Sequence, residues 1–152
     1  MTYDILANEI YNNNIDIIYM NFIGSFKGLY GDNVIAIDSK IDTDAERCCV
    51  LAEELGHHHK TIGDITDQTK IENRKQEKIA RNWGYEKLVG IVDLINAYNV
   101  GIRNKNDLAE HLNVTEQYLE ESIQHYKEKY GLYYEVDNYV VYFDPLGVAE
   151  HF

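Results

Sequence analysis

Residues 48–59 read CCVLAEELGHHH, and they set two adjacent carboxylates and three consecutive histidines among apolar and small residues. In a helix, residues four apart share a face, so Glu53 stands beside His57 and Glu54 beside His58. This is metal-ligand spacing. It lies one residue away from the zinc-peptidase helix motif, with Glu53 where that motif carries its first histidine. Thr43 followed by Glu46 is a capping-box pattern and predicts a helix from there to about His58. Cys48, Leu51, Ala52, Leu55 and His59 share one face, with Cys49 and Val50 near the other, so both sides look covered. Two readings are open. Either Glu53, Glu54 and His57 are enclosed and must find partners, because a buried unpaired charge is very costly, or they form an exposed stripe.

Upstream, Tyr3–Ile10 has the apolar spacing of a short amphipathic helix, ended by the asparagines at 12–14. Ile15–Phe22 reads as a strand, and FKGLY and NVIAID flank a hairpin turn at Gly31-Asp32, which predicts a small antiparallel sheet over 15–38. Downstream, 60–73 is polar and reads as a loop. Ala80, Gly84, Leu88, Ile91 and Ile95 make an apolar stripe that predicts one long helix over about 74–98. Traced backwards, that stripe reaches Glu77, which is either the mouth of a site or the point where the stripe emerges into solvent. Two further helices follow, at 107–112 and 116–130, with Thr115 as N-cap. The segment DLAEHLNVTEQYLEESI resembles a helix-turn-helix unit. Its second helix opens with Glu116, Glu120 and Glu121, a poor match to a phosphate-lined groove, so helix packing or protein recognition is the better reading. LYYEV, Asp137-Asn138 and YVVYF predict a terminal hairpin, with LGVAEHF covering its edge.

A chain of 152 residues, 45% hydrophobic, is sized for one domain with a real core. We expect a single domain, 1–152, with a motif-bearing core at 1–99 and the helical pair plus hairpin at 100–152. No apolar run reaches the roughly 20 residues of a membrane span, and the N-terminus lacks a basic segment followed by an apolar one, so a cytoplasmic location is expected. With 26 acidic against 14 basic residues the formal charge is -12, which disfavours direct nucleic-acid binding and suits a basic protein partner. The sequence does not specify an oligomeric state. Cys48 and Cys49 are adjacent, poor geometry for a disulfide, and read as buried thiols. The thirteen tyrosines are ascribed mainly to packing. His58 and His59 suit a helix C-terminus, where the macrodipole favours cations; His111, His125 and His151 are read as surface residues.

A zinc-peptidase helix supplies two ligands four residues apart, with a glutamate beside the first, and a later helix supplies the third. The metal polarises the scissile carbonyl while the glutamate moves the water's proton to the leaving amine. On that pattern Glu53 and His57 are the helix ligands, Glu54 is the base and Glu77 is a candidate third ligand. A shifted register, with Glu54 and His58 as ligands, is the alternative, and it sacrifices the base.

Residues 49–58, CVLAEELGHH, followed by Glu77-Lys78-Ile79-Ala80 and Trp83 ahead of another apolar run, resemble the ImmA/IrrE family of metallopeptidases, in its small phage and mobile-element branch. The tail GLYYEVDNYVVYFDPLG, 131–147, extends the resemblance over most of the chain. The resemblance implies a zincin-like α+β fold: a small antiparallel sheet, a motif helix, a long helix, a C-terminal helical pair and a β-hairpin. Carried over by position, it makes Glu54 the catalytic glutamate, His57 the second helix ligand and Glu77 the third. Glu53 departs from the pattern. Two carboxylates and a neutral histidine cancel a divalent charge, so bound water should be less acidified and oxygen-preferring metals better accepted. Zinc is the expected cofactor, with manganese or another divalent ion as alternatives. The resemblance further implies cleavage of a phage-type helix-turn-helix repressor, relieving repression of a prophage or integrative element. The competing reading is a metal-free pseudopeptidase that sequesters the repressor.

Overall fold

A computed structural model describes residues 1–60 and 71–151. Its α+β chain divides into two compact units, Met1–Gly84 and Tyr85–Phe152.

The first unit opens with α1 (Tyr3–Asn12), whose N-cap Thr2 side chain accepts from the Ile5 N–H. Leu6, Ala7 and Ile10 form its buried stripe. Strands β1 (Asp16–Met20), β2 (Gly28–Gly31) and β3 (Val34–Asp38) make one sheet in the order β1-β3-β2. The expected hairpin is β2–β3, antiparallel with Gly31 opposite Val34. Its turn residues are Asp32 and Asn33, at φ 49° and 60°, one position later than read from sequence. Paired positive φ values are those of a type I′ turn, whose twist matches the strands it joins. β1 pairs with the far side of β3 in parallel, so the sheet is mixed. A strand pattern specifies alternation, and the crossing over β3 is set by the path of residues 21–27.

Helix α2 (Asp44–Lys60) carries the motif. The Glu46 N–H donates to the Thr43 hydroxyl at 3.2 Å, the capping interaction anticipated at its start. Cys48, Leu51, Ala52 and Leu55 are buried beside Leu6, Ile35 and Ile37 in the core of this unit, each such leucine contributing about 1.5–3 kcal/mol. Both cysteines are buried thiols, as expected.

The single long helix expected after the loop is two helices. α3 (Ile71–Leu88) stops before Val89-Gly90, and α4 (Ile91–Asn99) starts anew with Gly90 as N-cap, its N–H donating to the Asp93 carboxylate at 3.2 Å. The apolar stripe runs through both segments with unchanged spacing, so periodicity did not register the break. Most of the loop expected at 60–73 lies outside the described residues; Lys60 ends α2 and Asn73 belongs to α3.

In the second unit, α5 (Lys105–Leu112) and α6 (Glu116–Tyr130) are joined by Asn113 in the left-handed region, buried Val114 and the N-cap Thr115. Strands β4 (Tyr133–Val136), β5 (Tyr139–Phe143) and β6 (Leu146–Glu150) form an antiparallel sheet in that order. The predicted hairpin is therefore completed by the C-terminal segment pairing as a third strand. His125, read as a surface residue, is buried: it lies on the inward stripe of α6 with Tyr118, Ser122 and Tyr126 and meets Glu86 at 2.8 Å. His111 and His151 are exposed. Among the described residues no helix is long and apolar enough to cross a membrane.

Candidate metal centre

Two glycines let the motif helix be enclosed from both sides. A Cβ on Gly28 would lie 2.6 Å from Val50 Cγ1 and 3.1 Å from Glu54 Cγ, so only glycine admits β2 this close to α2. A Cβ on Gly56 would lie 2.4 Å from the Ala80 carbonyl oxygen, so α3 rests directly on the opposite face. Glu54 and His57 are accordingly 7% and 6% exposed, and Glu53 is half-buried. The enclosed reading of the motif holds, and the exposed-stripe reading does not.

The helix period sorts the motif between these two neighbours. Glu53 and His57 face α3, where His57 Nε2 lies 3.3 Å from Glu77 Oε2. Glu54 and His58 face β2, and His58 Nδ1 meets the Tyr30 hydroxyl at 2.6 Å. Glu77 thus meets His57 across the gap between α2 and α3 where its stripe leaves the core. One ligand atom from each of Glu53, His57 and Glu77 lies within 4.8 Å of the others. Among the described residues no third donor joins Glu54 and His58.

The electrostatics follow from three carboxylates crowded against one imidazole. Burial raises Glu53 above the usual carboxylate range; the charge of Glu77 and a hydrogen bond to it add to the rise, against Arg81 and His57. Glu54 is pushed up to about 9, first by burial and then by the charges of Glu53 and Glu77. Glu77 moves the other way. Burial acts to raise it, but the hydrogen bond and charge of His57, the charge of Arg81 and the hydrogen bond from Glu53 hold it below the ordinary value.

The donor set fits a divalent cation. A tetrahedral ion with bonds of about 2.1 Å holds its ligand atoms about 3.4 Å apart, and the His57–Glu77 separation of 3.3 Å meets that spacing. A double positive charge would also offset the mutual repulsion that adds to burial in raising Glu53 and Glu54. Glu54 stands next to this set in sequence, on the face of α2 that meets β2. The sequence reading named the four acid and histidine side chains; it passed over Gly28, Gly56, Tyr30 and Arg81. Only Gly56 gave a signal, since glycine in mid-helix marks a close approach.

Comparison with known proteins gives one match: a family model described as the IrrE N-terminal-like domain, a peptidase family, covers residues 13–124. No match was found among curated proteins or solved structures. The matched span includes the whole of α2 and α3 and therefore every residue of the cluster.

Proposed function

The chain belongs to the IrrE N-terminal-like family of metallopeptidases, and from that premise we propose that it is a zinc-dependent cytoplasmic endopeptidase that cleaves a phage-type helix-turn-helix repressor. The observation that carries the reading is the convergence of Glu53, His57 and Glu77 from two helices, with Glu54 alongside. Membership of the family implies a divalent metal, and Glu53, His57 and Glu77 are the residues that would hold it. Bound there, the ion supplies Lewis-acid polarisation of the scissile carbonyl. Glu54, ionised beside it, accepts a proton from the attacking water at its carboxylate and delivers that proton to the leaving amine. Burial of Glu54 keeps solvent from competing for the proton.

The formal charge of -12 supports a basic partner, such as the DNA-binding domain of a repressor, through electrostatic steering. The exposed face of α6 carries Glu116, Glu120, Glu121 and Glu128, which weighs against direct DNA contact. Relief of repression of a prophage or integrative element is the proposed outcome. The test is incubation with zinc or manganese and the repressor encoded beside the protein: specific cleavage supports the proposal, and no cleavage with any metal ends it. A second reading, a metal-free pseudopeptidase that sequesters the repressor, is favoured by Glu53, which stands where the peptidase motif carries a histidine and hydrogen-bonds with Glu77. Metal analysis of the purified protein separates the two.

A further inference from the structure

Strand β1 ends the sheet of the first unit: in the order β1-β3-β2 it has β3 on one side and, among the described residues, no strand on the other. Ile18, Tyr19 and Met20 are 43%, 54% and 45% exposed. Edge strands are commonly blunted by lysine, proline or a bulge. β1 reads DIIYM, with a single charge at Asp16, and holds an unbroken register with β3.

The hydrogen bonds at the two ends of that pairing show what the open edge offers. The Asp16 N–H donates to the Asn33 carbonyl at 3.0 Å, and the Ser39 N–H donates to the Met20 carbonyl at 2.8 Å. Backbone groups alternate sides along a strand, so Asp16, Ile18 and Met20 face β3, while Ile17 and Tyr19 point their N–H and C=O groups outward. An antiparallel strand bonds to such an edge by setting its own outward residues opposite these. β1 of a second copy does so in the one register that overlaps all five residues. Ile17 then lies opposite Tyr19 at both ends, every outward N–H and C=O of the two strands is bonded, and Ile18 meets Ile18 on the two-fold axis. The charges agree with this register. Asp16 is kept away from the other Asp16 and comes opposite Met20, at the end of the strand where Lys40 Nζ bonds Asn21 Oδ1 and the Phe22 carbonyl. On the outer face Leu29, Ala36 and Ile18 form one row across the sheet, and the two-fold axis continues it into the second copy. We propose that β1 is a dimerisation edge that joins two copies of this chain into a continuous six-stranded sheet.

The test is sedimentation equilibrium of the full chain at about 0.15 M salt, where the formal charge of -12 on each copy is screened beyond about 8 Å. The edge is short, so a dissociation constant of about 100 μM is expected. Ile18→Lys and Ile18→Glu each set like charges against one another on the axis and should weaken association about tenfold or more. Ile18 is exposed, so both variants keep the fold. Residue 18 meets itself only in this register, so an equimolar mixture of the two variants sets lysine opposite glutamate and should recover a dimer within about threefold of wild type. Wild type that stays monomeric at about 1 mM overturns the proposal, whether or not β1 takes up a strand of another protein. Variants that associate as wild type does, or a mixture that stays monomeric, overturn it as well. The measurement needs neither metal nor substrate and is independent of the peptidase reading.

Discussion

Gly56→Ala is the sharpest perturbation of the site that touches no chemical group in it. In an ordinary mid-helix position the change stabilises by about 1 kcal/mol, because alanine is the better helix former. Here the added methyl would lie 2.4 Å from the Ala80 oxygen, 3.1 Å from its carbonyl carbon and 3.2 Å from its Cα, while ordinary contact begins at 3.4 Å. All three are backbone atoms, so no side chain can rotate away and α3 must shift from α2 by about 1 Å. Overpacking of this kind costs about 1–3 kcal/mol, which outweighs the propensity gain. The shift also separates His57 and Glu77, now 3.3 Å apart, by several times the roughly 0.2 Å tolerance of a metal site. We expect metal affinity to fall about 10–100-fold, measured by competition with a chromophoric chelator, together with a lower melting temperature of the metal-free protein. Wild-type affinity and an unchanged or raised melting temperature would refute the close approach of the two helices.

Glu54→Gln should leave metal affinity within a few-fold of wild type while lowering kcat by about 100-fold or more, since it removes the proton carrier and no ligand; parallel metal titration and peptide cleavage check this. Glu53→His should tighten zinc binding relative to manganese and raise kcat near neutral pH, because a site with one fewer carboxylate retains positive charge to acidify water; unchanged metal preference in a competition assay would show that Glu53 is no ligand. In the second unit, burial acts to raise Glu86, but hydrogen bonds from His125 and Lys129 outweigh it and hold its carboxyl below the ordinary value. A depressed carboxylate stabilises above its unfolded pKa of about 4.3 and loses that contribution as pH falls through its folded value. The melting temperature of Glu86→Gln should therefore lie below that of wild type at neutral pH, with the gap narrowing below about pH 4; a gap independent of pH would remove the ion pair from the account.

Much of the architecture is local and was legible. Thr43 and Thr115 are N-caps because a hydroxyl can satisfy the first amides of a helix, and both are used so. The tight turn at 137–138 and the alternation on either side set the β4–β5 hairpin, with Asp137 at φ 53°. The misreadings share one cause. The stripe from Ala80 to Ile95 holds its spacing across Gly90, the parallel pairing of β1 with β3 has no local signature, and His125 is polar by type but inward by position. Each is decided by what an element packs against.

For the site itself, the sequence determined which groups could serve as ligands and base, since a four-residue helical step fixes that Glu53 and His57 share one face and Glu54 and His58 another. It could not determine which face meets a third carboxylate. That was decided by Gly28 and Gly56, which let a strand and a second helix approach α2 from opposite sides and bring Glu77 to His57 across 20 positions of chain whose spacing carries no trace of the contact. Side-chain identity is written in the chain; proximity between distant segments is a property of packing, and the candidate metal centre needs both.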